Sequence, residues 1–149
     1  MPDRRRFVCA LGGLAAAPLI PAAALAQTDT FAPLIGAFTG GAPVRQGRVT
    51  VDTPTLADNG NAVPLRIVVD SPMSATDYVQ RIVVLSEKNP RPVIATFHLG
   101  PRAGRAVVTT RVRLNGAQRL MAVAQLADGS FWAGSADVIV TSTACWDEG

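Results

Sequence analysis

The residue with the clearest capacity for chemistry is Cys145, which lies four residues from the C-terminus of this 149-residue chain. It stands in the tail 141–149, directly after a strand-like run. A structural cysteine is normally buried in a core, whereas a thiol on a terminal tail is exposed. We therefore interpret Cys145 as an attachment point for a covalently bound group.

Apart from Cys145, the chain holds few residues suited to catalysis. It has one histidine, His98, so neither a multi-histidine metal site nor a catalytic triad is predicted. We interpret His98 as a strand-face residue, with a ligand or acid–base role as the alternative. The spacing does not favour a soft-metal site, for which the candidate ligands would be Met73, Met121, His98 and Cys145. We predict no cofactor and no bound metal.

Two pairs of residues each have a structural and a functional interpretation. Arg111 and Arg113 are typical of a solvated strand face, and a role in guiding anions is the alternative. Phe131 and Trp132 follow a predicted turn. We expect them in the core or at an interface rather than stacked on a cofactor.

The first 26 residues have the features of a cleaved leader. Residues 4–8 (RRRFV) are typical of a twin-arginine motif, an apolar segment follows over 9–20, and residues 24–26 (ALA) form a small-x-small cleavage site. The apolar segment is shorter than the roughly 20 residues that a membrane span needs. We therefore expect no membrane anchor and export to the periplasm by the twin-arginine route, with the general secretory route as the alternative.

Removing this leader changes the composition. Lys+Arg falls from 14 to 11 and Asp+Glu from 11 to 10, so the formal net charge falls from +3 to +1. The basic balance of the full chain therefore does not predict nucleic-acid binding. With Cys9 removed, Cys145 is the only thiol, which excludes a disulfide framework. What remains is enough for one domain and too little for two.

The mature chain is predicted to be all-β after one short N-terminal helix. The helix is expected over Gln27–Phe38, with capping residues at 28–30 and an end at Gly40-Gly41. Strands rich in Val, Ile and Thr are predicted at Val44–Val51, Val63–Asp70, Tyr78–Ser86, Val93–Leu99, Arg105–Leu114, Gln118–Ala127 and Phe131–Thr141. Short links with turn residues join them. This pattern predicts an immunoglobulin-like antiparallel β-sandwich of about seven strands.

Short stretches distributed over the mature chain also point to a family. They are 58–64 (DNGNAVP), 69–73 (VDSPM), 77–79 (DYV), 89–92 (NPRP), 95–97 (ATF), 110–114 (TRVRL) and 128–132 (DGSFW). In this order they resemble the SoxY family, the sulfur carriers of periplasmic thiosulfate oxidation. We expect a signal peptide at 1–26, a SoxY-like β-sandwich at 27–140 and a cysteine-bearing arm at 141–149.

The resemblance implies a function and partners. It implies a non-catalytic carrier whose C-terminal cysteine, here Cys145, holds sulfur intermediates covalently and passes them between sulfur-oxidising enzymes. It also implies a heterodimer with a second small β-sandwich protein of the SoxZ type. Neither a nucleic acid nor a membrane is an expected partner.

The arm departs from the family pattern. SoxY ends Gly-Gly-Cys-Gly-Gly, whereas Cys145 is flanked by Thr143 and Ala144 on one side and Trp146 on the other. Glycines make an arm thin and flexible, and these residues make it stiffer and bulkier. The following carboxylates disfavour the thiolate, although solvent screens that effect. This tail is closer to SoxY-related paralogues whose arm has Ala-Ala-Cys and bulkier residues.

Two other interpretations of the function are open. In one, the domain is a periplasmic partner-binding module, and Cys145 carries another thiol-linked cargo or serves as a tether. In the other, Cys145 is the nucleophile of a thiol-active enzyme, which would need a nearby base such as His98.

Overall fold

The computed structural model describes residues 29–142. The predicted leader at 1–26 and the arm residues Thr143, Ala144, Cys145 and Trp146 lie outside the described residues. Over 29–142 the chain forms one α-helix, nine strands and a short 3-10 turn. No helix in this range is long and apolar enough to cross a membrane.

The elements follow one another in the order predicted, except that the first predicted strand is divided in two and that a two-residue strand and a 3-10 turn are added. They are α1 Ala32–Thr39, β1 Val44–Gln46, β2 Val49–Asp52, β3 Leu56–Ala57, β4 Val63–Val69, β5 Val79–Ser86, β6 Val93–His98, the 3-10 turn Pro101–Ala103, β7 Val107–Val112, β8 Gln118–Leu126 and β9 Phe131–Val140.

The strands form two packed sheets. The large sheet has the order β1-β9-β8-β5-β6, with β3 also paired to β9, and the small sheet has the order β2-β4-β7. Five of the seven strand pairings within residues 29–142 are antiparallel. This arrangement confirms the predicted immunoglobulin-like sandwich.

Three details of the sandwich differ from the sequence prediction. The strand expected over Val44–Val51 divides at Gly47 and Arg48, whose φ angles are 116° and 58°. At that break the chain leaves the large sheet and enters the small one. The two-residue strand β3 was not predicted, because two residues are too few to show an alternation. Both β1 and β3 run parallel to β9, so the sandwich is not purely antiparallel.

The core lies between the sheets, and a second apolar layer lies under the helix. Alternate residues of β4 point inward, as the pattern of buried and exposed positions along the strand shows. On the outer face of the large sheet, Phe31 is fully buried together with Val83 and Met121. Because α1 covers this face, β5 and β8 are apolar on both sides and do not alternate.

The helix is shorter than predicted. It begins at Ala32 rather than Gln27, and Asp29 accepts a hydrogen bond from the Phe31 amide at 3.1 Å in the preceding turn. It ends as predicted at Gly40, which adopts a left-handed conformation with φ 66° and donates its amide to Gly36.

The turn between β8 and β9 confirms its predicted chemistry. Gly129 has φ +84°. The Ser130 hydroxyl and amide donate to Asp128 Oδ1 at 2.6 and 2.8 Å, and these hydrogen bonds lower the pKa of Asp128. Trp132 Nε1 donates to the Ser130 hydroxyl at 3.1 Å, which ties the turn to β9.

Candidate functional site

The C-terminal arm leaves the sandwich at Thr141 and Ser142, and the turn after β3 holds both residues. The Thr141 amide donates to the Ala57 carbonyl at 3.1 Å, and its hydroxyl donates to the Asp58 carbonyl at 2.9 Å. The Gly60 amide donates to the Ser142 carbonyl at 2.8 Å. We call Thr141, Ser142 and residues 57–60 the arm root.

Gly60 links the arm root to the end of β7. Its carbonyl accepts a hydrogen bond from the Leu114 amide at 2.8 Å. A Cβ atom on Gly60 would lie 2.5 Å from the Leu114 carbonyl oxygen and 3.1 Å from that of Ser142. A side chain does not fit between these backbone oxygens, so glycine is required for close approach rather than for its φ.

We expect Gly60→Ala to lower the free energy of unfolding by about 2 kcal/mol, because the new methyl group overpacks against backbone. Hydrogen exchange at the amides of residue 60 and Leu114 should also become faster. Gly100→Ala is the matched control, since its Cβ would meet nothing within 4 Å and its φ is −149°. Equal stability of the two variants in urea denaturation would contradict the arm-root geometry.

His98 is too far from the arm to act on Cys145. His98 on β6 lies beside Arg81 on β5, which in turn lies beside Gln125 on β8. Gln125 is paired with Phe131, so His98 is level with the start of β9. The ten residues of β9 span about 33 Å before the chain reaches Ser142. Three Cα–Cα steps bring Cys145 no farther than about 11 Å from Ser142. His98 therefore cannot serve as the base of a Cys145 nucleophile.

A partly buried network of polar side chains connects the loops at the end of the sandwich from which the arm leaves. Ser86 is fully buried and hydrogen-bonds to Gln118, whose Nε2 donates to Asn89 Oδ1 at 3.1 Å. Asn89 also accepts the Asn115 amide at 2.9 Å and donates to the Arg113 carbonyl at 2.7 Å. No sequence pattern had predicted this network. Its only signal was Gln118 at the start of β8, a strand whose middle residues are apolar.

A groove runs between β6 and β7, the strands at corresponding edges of the two sheets, with a volume of about 480 Å³. Its lining residues combine an apolar floor with three arginines: Arg91, Val93, Ile94, Ala95, Phe97, Thr110, Arg111, Val112 and Arg113. Arg111 and Arg113 are exposed, as expected of a solvated strand face. The structure adds Arg91 from the link between β5 and β6, which no sequence pattern had connected with them.

The remaining candidate residues do not form a site. Met73 is buried between the sheets, whereas Met121 lies under the helix and His98 is exposed. Across residues 29–142, no three His, Cys, Asp or Glu side chains are placed to hold a metal ion. Trp132 is half-buried against the core, and Arg45 and Arg48 lie over its ring at 5.6 and 5.3 Å. This placement confirms the structural interpretation of Trp132.

The solved structures that share this fold include a sulfur carrier and superoxide reductases. The sulfur carrier protein SoxY from Chlorobium limicola f thiosulfatophilum is 25% identical, with a TM-score of 0.62 over 73% of this chain and 94% of its own. A superoxide reductase (neelaredoxin) from Ignicoccus hospitalis is 16% identical, with a TM-score of 0.56 over 63% and 80% of the two chains. The superoxide reductase from Nanoarchaeum equitans is 12% identical, with a TM-score of 0.54 over 64% and 100%. The two reductases share the fold alone.

The family comparison covers most of the chain. The model of the sulfur oxidation protein SoxY matches residues 35–145, which comprise nearly all of the sandwich and the arm as far as Cys145. No functionally curated protein matches the chain. The extent of the family match and the SoxY structural match agree, and the chain belongs to the SoxY family.

Proposed function

We propose that this chain is a periplasmic sulfur carrier that holds sulfur intermediates covalently on Cys145 and presents them to sulfur-oxidising enzymes. The observation that carries this proposal is the family match, which extends into the arm and ends at Cys145. The related Chlorobium protein is itself a sulfur carrier.

The arm root supports this role physically. Thr141 and Ser142 are tied to the sandwich by backbone hydrogen bonds, whereas Cys145 follows three residues later. Three Cα–Cα steps keep the residue that bears the thiol within about 11 Å of this fixed point. Tethering of this kind raises the effective concentration of a bound group at each docked enzyme.

The attachment chemistry needs an electron acceptor. Joining the Cys145 thiolate to an inorganic sulfur anion such as thiosulfate forms one S–S bond and releases two electrons. A redox protein of the same system must accept them, because the carrier holds no acceptor of its own in this scheme. Thiol reductants reverse the attachment by restoring the free thiol.

The partners follow from the same proposal. The SoxY family implies a protein partner in a sulfur oxidation complex. We propose that this partner is a small β-sandwich protein of the SoxZ type and that the catalytic groups come from separate enzymes.

The test is intact mass spectrometry of the chain purified from the periplasm of cells that are oxidising thiosulfate. We expect a mass increase on Cys145 that corresponds to added sulfur or sulfur oxyanion and that disappears after treatment with dithiothreitol. A chain that carries only a free thiol under these conditions would contradict the proposal.

The composition of the arm favours a second candidate. The residues Ala144 and Trp146 replace the glycines of the SoxY arm, which favours a related carrier with another thiol-linked cargo or a tethering cysteine. The same mass measurement separates the two candidates, because a cargo other than sulfur gives a different mass increase and a tether gives none.

A further inference from the structure

The groove between β6 and β7 has the features of a peptide-binding site. Among the described strands, β6 pairs only with β5 and β7 pairs only with β4, so each presents an unpaired edge to the groove. Ile94, Phe97 and Val112 belong to the apolar core or pack against it and line the groove. Unpaired edges beside an apolar floor can receive an extended segment.

The groove is also positively charged. Arg91, Arg111 and Arg113 are exposed, and no carboxylate lines the groove. Over residues 29–142 none of these three guanidinium groups forms an ion pair, since the pairs there involve Arg48 and Arg119. An extended ligand for this groove would carry an aromatic or apolar group and neighbouring carboxylates.

The chain's own C-terminal tail has this chemistry. Trp146 is followed directly by Asp147 and Glu148, which supplies one large aromatic side chain and two carboxylates over three residues. Carboxylates pair with guanidinium groups through charge-assisted hydrogen bonds, and an indole ring accepts an arginine on its face. The glycine-rich arm of SoxY lacks such side chains, and binding to the groove would explain their presence here.

The arm root begins close enough to reach the groove. The carbonyl oxygens of Leu114 and Ser142 are close together, because they lie 2.5 and 3.1 Å from the position that a Cβ atom of residue 60 would occupy. Leu114 directly follows Arg113, which lines the near end of the groove. From Ser142, four Cα steps reach about 15 Å at Trp146 and six steps about 23 Å at Glu148.

We propose that the groove between β6 and β7 is a docking site for the chain's own tail, residues 143–149, with Trp146 on the apolar floor and Asp147 and Glu148 against Arg91, Arg111 and Arg113. Docking holds Cys145 against the sandwich and shields it, and release of the tail exposes it. This inference goes beyond the carrier role and does not depend on it, because docking requires no cargo.

The first test compares amide NMR spectra of the mature chain with those of an Asp147→Asn/Glu148→Gln double variant, both in a Cys145→Ser background. We expect shift changes at Ile94, Ala95, Thr110 and Arg111. Raising the salt concentration of the parent chain to about 1 M should reproduce them, because the Debye length then falls to about 3 Å. The amides around Arg102, in the 3-10 turn that follows the far end of β6, serve as the internal control.

The second test measures alkylation of Cys145 by iodoacetamide in the chain with its native cysteine. We expect an Arg111→Gln/Arg113→Gln variant to react about fivefold faster, since weak, screened ion pairs hold the tail. Arg102→Gln is the matched control and should react at the wild-type rate. Both substitutions replace exposed side chains, so folding is preserved.

Two results would overturn the proposal. In the first, neutralising the tail leaves the groove amides unmoved, and the Arg111→Gln/Arg113→Gln variant is alkylated at the wild-type rate. In the second, sodium thiosulfate or sulfate shifts the groove amides while the tail substitutions do not. The second result would make the groove a site for free anions.

Discussion

Cys145→Ser is expected to remove every covalent sulfur adduct from the chain and to stop the thiosulfate oxidation that depends on it. A hydroxyl group cannot form the S–S bond that holds the cargo, and the mature chain has no second thiol if residues 1–26 are removed. The free energy of unfolding should stay within about 0.5 kcal/mol of wild type, as for other substitutions away from a core. The measurements are thiosulfate consumption by a reconstituted system and urea denaturation of the purified chain.

A variant that moves the thiol provides a sharper control. Ser142→Cys in the Cys145→Ser background places the only thiol in the arm root, beside the backbone that Gly60 holds. We expect this thiol to be alkylated but not to restore thiosulfate consumption, because it cannot extend into an enzyme cleft. Full activity of the Cys145→Ser chain alone would contradict a carrier role.

Gly134→Ala is expected to lower the free energy of unfolding by about 3 kcal/mol or more, because it forces overpacking against backbone. Where β2 crosses β9, a Cβ atom at position 134 would lie 2.1 Å from the Val49 carbonyl oxygen and 2.9 Å from its carbonyl carbon. Neither atom can move without shifting β2 away from the large sheet. The urea midpoint of the purified chain measures the effect.

Gly36→Ala is the matched control for this glycine. Its Cβ would meet nothing within 4 Å, and it lies inside α1, where alanine is the better helix former. We expect a gain of about 0.5–1 kcal/mol. If Gly134→Ala is as stable as wild type, the two sheets do not approach each other as closely as this crossing requires.

The strands and the helix were predictable because their signals are local. In the run 63–69, Arg66 stands between the apolar residues Leu65 and Ile67, and burial alternates along the strand because one of its faces packs into the core between the sheets. The helix was found from the spacing of its apolar residues and from Gly40 at its end. Its start was placed too early, since capping residues before Ala32 fit several positions equally well.

The sequence by itself predicted an all-β sandwich and a resemblance to SoxY, both of which are confirmed, and it predicted Cys145 as the attachment thiol. Only the tertiary structure decided which distant residues meet. It brought Gly60 between Leu114 and Ser142 to hold the arm root, and it brought Arg91, in the link between β5 and β6, to the same groove as Arg111. Side-chain periodicity reports which face of a strand is buried, but it carries no information about which strand of the other sheet lies opposite.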